Sequence, residues 1–217
     1  MRDIALLLKA VHFAASRHRY QRRKDEDASP YINHPIEVAE IMANVGNVSD
    51  LPTLQAAILH DTVEDTDTTF SELEEGFGRD VRLLVEEVTD DKSLPKDVRK
   101  QLQIEHSQGL SSHAKEIKIA DKICNVHDVT HTPPPNWPLE RRREYLQWAA
   151  KVVEGCRGSN ANLERRFECP LSPSYEPKSC KMARASFTSE LSSSALFHNS
   201  RNFCNAARSL SLSPFPP

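Results

Sequence analysis

Residues 54–67 read LQAAILHDTVEDTD. They open as an apolar helix and then set His60, Asp61, Glu64 and Asp65 within two turns. At about 3.6 residues per turn, Glu64 falls four positions after His60 and three after Asp61, so these side chains share a face. Leu51, Leu54, Ala57 and Ile58 carry that face back toward the start of the helix. The apolar stripe therefore runs into one imidazole and three carboxylates. An uncompensated buried charge is very costly, so such a cluster needs a cation among its carboxylates. A divalent metal supplies one, with His60 and Asp61 as neighbouring ligands and Glu64 and Asp65 left for proton handling. The plain alternative is a solvated helix end with acids in its last turns. An isolated His-Asp pair fits that alternative. The full pattern, His-Asp-x-x-Glu-Asp behind an apolar helix, favours the metal.

Two further stretches aim at the same core. Residues 21–35, QRRKDEDASPYINHP, form a polar loop between two helices, with Arg22, Arg23 and Lys24 side by side. These suit phosphate oxygens, and equally the C-terminal dipole of the preceding helix. Pro35 follows His34 at once, and proline is favoured at the first helical position. That predicts His34 as the cap of a helix over 35–44, with Ile36, Val38, Ala39 and Met42 as its stripe. Residues 112–128, SHAKEIKIADKICNVHD, carry the stripe Ala114, Ile117, Ala120 and Cys124, and Asp121 falls inside it. A carboxylate on a core-facing side again demands a cation or several donors. Asn125 lies one turn further on, and Lys118 and Lys122 flank the site. A simple Asp-Lys pair is the competing reading there.

The remaining periodicity is helical. Leu6, Leu7, Ala10, Val11 and Ala14 form an N-terminal stripe that charged residues interrupt, so it is neither a signal peptide nor a membrane span. Thr69-Phe70-Ser71-Glu72 reads as a capping box opening a short helix that ends at Gly76 or Gly78. Helices over 79–88 (Val81, Leu84, Val85, Val88), 95–106 and 139–154 (Leu139, Leu146, Ala149, Val152, Val153) follow. No stretch alternates with period two for long enough to be a strand, so the class is all-α. The chain has 217 residues, 38% of them hydrophobic, and a net charge of −3. That suits one domain with a sizeable core and gives no case for nonspecific nucleic-acid binding. Five scattered cysteines form no CxxC pair, which argues for a reducing compartment, the cytoplasm by default. From residue 168 on, serine and proline abound without a sustained period. We therefore expect a domain over 1–167 and a disordered tail over 168–217.

His34, His60, Asp61 and Asp121 thus fall on three helices that each face a core. Two imidazoles and two carboxylates suit a borderline divalent ion that keeps positions open for water. Mn²⁺ fits better than a closed structural Zn²⁺ site, which normally takes cysteines. Metal-bound water has a lowered pKa, and a nearby carboxylate can accept its proton. With lysine and arginine available for phosphate oxygens, the chemistry is phosphoester hydrolysis.

The ordered residues His34, His60-Asp61 and Asp121 resemble the H…HD…D signature of the HD-domain metal-dependent phosphohydrolases. YINHPIEVAEI (31–41), QAAILHDTVEDTDTT (55–69), FGRDVRLLVEEVTDDK (77–92) and KIADKICNVHDV (118–129) resemble the hydrolase domain of the RelA/SpoT family, over about residues 1–164. Without a synthetase or regulatory domain, the chain is similar to the small stand-alone metazoan branch of that family. The resemblance implies a helical bundle with one Mn²⁺ between core helices and a small nucleotide as partner. It implies hydrolysis of (p)ppGpp at its 3′-diphosphate, giving GDP or GTP and pyrophosphate, with removal of the 2′-phosphate of NADPH, or hydrolysis of another nucleotide, as the alternative. It gives Glu64 and Asp65 the task of orienting or deprotonating the attacking water. Arg23 and Lys24 would hold phosphates, Asn125 would contact the nucleoside, and Tyr145 would lie near the pocket. The rival class is an HD fold that binds nucleotides without turnover. Loss of a ligand, Glu64 or Asp65 would mark it, and all are present. Such relatives continue from residues 160–164 into a closing amphipathic helix. Here Cys169-Pro170 interrupts it, so the segment over 160–167 is expected to be too short to close the core.

Overall fold

Residues 2–168 are those the computed structural model describes, and every regular element among them is a helix. In chain order these are α1 (Arg2–Arg17), α2 (Asn33–Asn44), α3 (Leu51–Leu59), α4 (Thr62–Asp65) and α5 (Phe70–Phe77). Then come α6 (Arg79–Val88), α7 (Lys96–Ser107), α8 (Ser112–His131), α9 (Leu139–Gly155) and α10 (Ala161–Glu168). Starts are set locally where the sequence supplies a cap. Asp50 accepts the Thr53 N–H at the head of α3, Ser111 that of Ala114 at the head of α8, and Thr69 with Glu72 completes the expected capping box of α5. An antiparallel bridge between Arg22 and Pro30 pins the long loop before α2.

The axis of the bundle is α8. Ala114, Ile117, Ile119, Ala120, Ile123, Cys124 and Val126 are all buried, so the helix is apolar on most sides, as a helix enclosed by others must be. It packs on α2, α3, α6, α9 and α10. At the crossing of α7 and α9 only a glycine fits, since a methyl group on Gly155 would lie 1.8 Å from the Ser107 hydroxyl oxygen. No described helix is long and apolar enough to cross a membrane. Cys124 and Cys156 are buried free thiols.

Four sequence expectations need correction. The helix of residues 54–67 is not continuous: α3 ends at Leu59, and His60 and Asp61 form the corner before α4. The cause is local. His60 Nδ1 bonds the Ala57 carbonyl (2.8 Å) and the Thr62 hydroxyl bonds that of Leu59 (2.6 Å), so side chains take acceptors the helix would have used. His34 is not a cap but sits in the first turn of α2, which starts at Asn33 after Ile32. Ile36 and Leu139 are exposed rather than packed, with Ile41 buried on α2 instead. Finally, the eight-residue α10 does close the bundle, since Leu163 and Phe167 are buried against it. Truncating Leu163 to alanine is expected to lower unfolding free energy by about 2–5 kcal/mol in urea melts. An unchanged midpoint would show that α10 adds nothing. The expected domain boundary falls inside α10, whose Glu168 is ion-paired with Arg157. The rest of the expected tail lies outside the described residues.

Candidate metal centre and adjoining nucleotide cavity

The corner between α3 and α4, the first turn of α2 and the middle of α8 converge. His34 Nε2 lies 3.2 Å from Asp121 Oδ1 and 3.8 Å from Asp61 Oδ2. His60 Nε2 lies 3.1 Å from Asp61 Oδ2 and 4.0 Å from Asp121 Oδ1. All four residues named from sequence are therefore brought together, and His34, His60 and Asp121 are buried. The break after Leu59 serves this, because it turns two successive side chains, His60 and Asp61, into one pocket.

The donor set fits a cation. The Ala57 carbonyl can only accept, so the bond to His60 Nδ1 puts a proton there and leaves Nε2 for a second proton or an ion. That Nε2 is buried without a hydrogen-bond partner, although Asp61 stands beside it. An imidazole nitrogen and two carboxylate oxygens that converge this way match a divalent ion in chemistry and arrangement, the ion taking the place of the second proton. The field of the carboxylates shows in the titration of the group. Burial disfavours a charged imidazole, yet Asp61 and Asp121 outweigh it and push His60 up to about 9. Burial likewise acts to raise both aspartates, but His60 and His34 hold Asp61 below the usual carboxylate range. Lys122 and His34 do the same for Asp121.

Each carboxylate is fixed by donors from outside the cluster. The Tyr31 hydroxyl donates to Asp61 Oδ2 at 2.6 Å. Lys122 Nζ donates to Asp121 Oδ2 at 2.8 Å, and the Asn125 amide to Asp121 Oδ1. The competing Asp-Lys reading of residue 121 is thus half right: one oxygen meets lysine while the other faces the imidazoles. Sequence reasoning passed over Tyr31. Its only signal was position, one helical turn before His34.

Two cavities meet at this point. A small inner one, about 140 Å³, is lined by the four cluster residues with Glu64, Asp90, Gln103 and Lys118. Glu64 accepts the Asp90 N–H at 3.3 Å and lies 3.5 Å from Arg99 Nη1. Burial, then the charges of Asp61 and Asp90, raises its carboxyl to about 7. Asp65, paired with Glu64 in the sequence reading, instead lines the outer cavity, where it accepts from Gln21 (2.8 Å) and pairs with Lys92.

The outer cavity, about 380 Å³, falls in the range of small-molecule sites. Arg23, Lys24, Asp128, Trp137 and Tyr145 line it, and Tyr31 and Asn125 line both cavities. Asn125 and Tyr145, both named from sequence, line this cavity. Lys24 is exposed, and it gathers with Lys100 and Arg141 around Lys96, whose pKa is lowered by burial and then by these three charges. Arg23 is different. It is ion-paired with Asp128, donates to Asn125 Oδ1 at 3.2 Å and lies over the Tyr31 ring at 5.6 Å.

That difference separates two residues the sequence treated alike. Lys24→Ala should raise KM for a polyanionic substrate, more at low salt than at high, with metal content unchanged. Arg23→Ala should lower kcat as well, because it releases Tyr31 and Asn125 from the wall they share. Equal effects of the two changes on KM alone would return Arg23 to a simple phosphate contact.

A family profile described as HD domain matches residues 10–152. The chain belongs to the HD-domain family. It is 54% identical over 166 residues to the guanosine-3′,5′-bis(diphosphate) 3′-pyrophosphohydrolase of Xenopus tropicalis, covering 76% of this chain and 93% of that one. The same figures hold for the enzyme of that name from Homo sapiens. A solved structure of a metazoan ortholog of SpoT, described as hydrolysing ppGpp, is 49% identical with a TM-score of 0.74. That match covers 76% of this chain and 92% of the other. The resemblance to the stand-alone metazoan branch of the RelA/SpoT hydrolases, read from four short motifs, therefore extends through the HD-domain bundle.

Proposed function

We infer that this chain is a metal-dependent hydrolase of guanosine-3′,5′-bis(diphosphate), cleaving the 3′-diphosphate to release pyrophosphate. The observation that carries this reading is the shared wall: a cluster fit for a divalent ion lies behind Tyr31 and Asn125. A cavity with aromatic rings and cationic groups lies in front of them. A nucleotide held by its base and phosphates in front would present a phosphoester to the cluster behind. The names of the relatives supply the substrate.

His34, His60, Asp61 and Asp121 would hold the ion, and Mn²⁺ suits imidazole and carboxylate donors without thiolate. When bound, it supplies a water of lowered pKa and positive charge for the phosphoryl oxygens. Glu64 accepts the proton of the attacking water, since it lines the inner pocket. Asp65 holds Lys92 and Gln21 at the outer rim. Lys24, with the basic group around Lys96, meets the phosphates, and Asn125 and Tyr145 flank the nucleoside beside Trp137. Residues 169–217 are not needed for catalysis in this reading, and a nucleotide substrate together with the free buried thiols Cys124 and Cys156 supports a cytoplasmic enzyme.

Purified chain with Mn²⁺ should be assayed against ppGpp and NADPH in parallel, with products separated by chromatography. Pyrophosphate and GDP from ppGpp are expected. Orthophosphate from NADPH without turnover of ppGpp would move the site to 2′-phosphatase chemistry. Metal-loaded protein that binds either nucleotide and turns over neither would make it a binding module.

A further inference from the structure

We propose that His127 and His131, near the C-terminal end of α8, form a second site for a borderline transition-metal ion such as Zn²⁺. The pair has no part in the hydrolysis argued above and lines neither cavity. Its spacing is i, i+4, which places both rings on one helix face. Both residues are exposed, His127 with 47% of its side chain open. The rings stand 4.3 Å apart, centroid to centroid, and within 22° of parallel.

The second observation is what the inner nitrogens do. His131 Nδ1 lies 3.0 Å from the His127 carbonyl and 2.9 Å from the Thr130 hydroxyl, so the ring is held by its own helix at that nitrogen. His127 Nδ1 faces Asp128 Oδ1 at 3.8 Å. His131 thus turns Nδ1 to its own helix and Nε2 away from it, while His127 Nδ1 meets Asp128 only at ion-pair distance. A ring oriented by a carbonyl or carboxylate at one nitrogen is the usual state of a metal-ligating histidine. Two nitrogens on one tetrahedral Zn²⁺ lie about 3.3 Å apart, given bonds of about 2.0–2.1 Å. Chelation therefore requires the two rings to leave their present stack and turn both Nε2 atoms toward one point.

Charge around the pair favours a cation on balance. Asp128 and Glu37 both stabilise positive charge on His127, and Arg166 of α10 opposes it. Water fills the remaining coordination positions, so this is an open surface chelate and not a structural centre. Two neutral imidazoles without thiolate select Zn²⁺, Ni²⁺ or Cu²⁺ over Mg²⁺ and Ca²⁺.

The test uses the full chain with Mn²⁺ throughout and titrates Zn²⁺ by calorimetry without substrate, wild type beside variants, since Zn²⁺ also exchanges into the four-residue cluster. One further equivalent of Zn²⁺ is expected. Losing a ligand costs at least what losing an outer partner does, so His127→Ala and His131→Ala should each weaken it by about 10- to 100-fold or more. Turnover of His131→Ala without added Zn²⁺ should equal that of the wild type. Mg²⁺ in place of Zn²⁺ should give no heat. Zn²⁺ uptake that is the same in the wild type and both variants would assign it to the cysteines, His198 or the catalytic cluster, and overturn the site. No second equivalent in the wild type would overturn it too.

Discussion

Asp61→Ala should leave the purified chain unable to retain Mn²⁺ through dialysis and should abolish turnover. Asp61 stands 3.1 Å from one imidazole of the cluster and 3.8 Å from the other, and it is one of only two carboxylates there. Without it, a dication would face two neutral rings and the single Asp121, whose second oxygen is already taken by Lys122. The loss spreads outward. The Tyr31 hydroxyl loses its acceptor, and with it the wall between the two cavities loses a fixed position. Losing the ion removes the activated water, whose pKa falls from about 15.7 to roughly 7 on a catalytic metal. The rate loss should therefore exceed the roughly 10²- to 10⁴-fold that a general base alone supplies. Metal analysis beside a turnover assay decides it. Full occupancy with normal turnover would remove Asp61 from the centre.

Three of the four cluster residues could be read in the sequence because each interrupts or ends an apolar stripe, and His34 because Pro35 sets it at the start of one. A polar side chain on a core-facing side has to meet something, and that demand is visible without coordinates. The contacts that tune them could not be read. Tyr31 reaches Asp61 across 30 positions, and Arg23 reaches Asp128 across 105. No local period encodes such pairings. Trp137 sits in a loop, where no helical face announces it. Glu64 and Asp65, grouped in the sequence, are set apart by geometry. Adjacent helical residues point about 100° apart, so one carboxylate enters the inner pocket while its neighbour meets Lys92 and Gln21 in the outer cavity. The exposed Ile36 and Leu139 mark an error in the stripes. Each is an apolar residue in a first turn, before the packed stripe of its helix is established.

Glu64→Gln should keep the metal and lose about 10²- to 10⁴-fold in kcat, with KM little changed. The substitution preserves shape, and its amide oxygen can still accept the Asp90 N–H that Glu64 accepts at 3.3 Å. What disappears is the capacity to take a proton from water. A general base acts in its ionised form, so wild-type turnover should rise as pH climbs through the Glu64 pKa and level off above it. Burial beside Asp61 and Asp90 sets that carboxyl at about 7. A dication among the four ligands favours the carboxylate and draws the value down, so the acid limb of the loaded enzyme should lie below about 7. Glu64→Gln should lose that limb together with its rate. Asp65→Asn provides the contrast, because Asp65 touches Lys92 and Gln21 in the outer cavity. It should weaken substrate binding while leaving the acid limb in place. A Glu64→Gln enzyme that turns over normally, or that keeps the wild-type limb, would show that the proton goes elsewhere. Loss of the limb in Asp65→Asn alone would pass the role to Asp65.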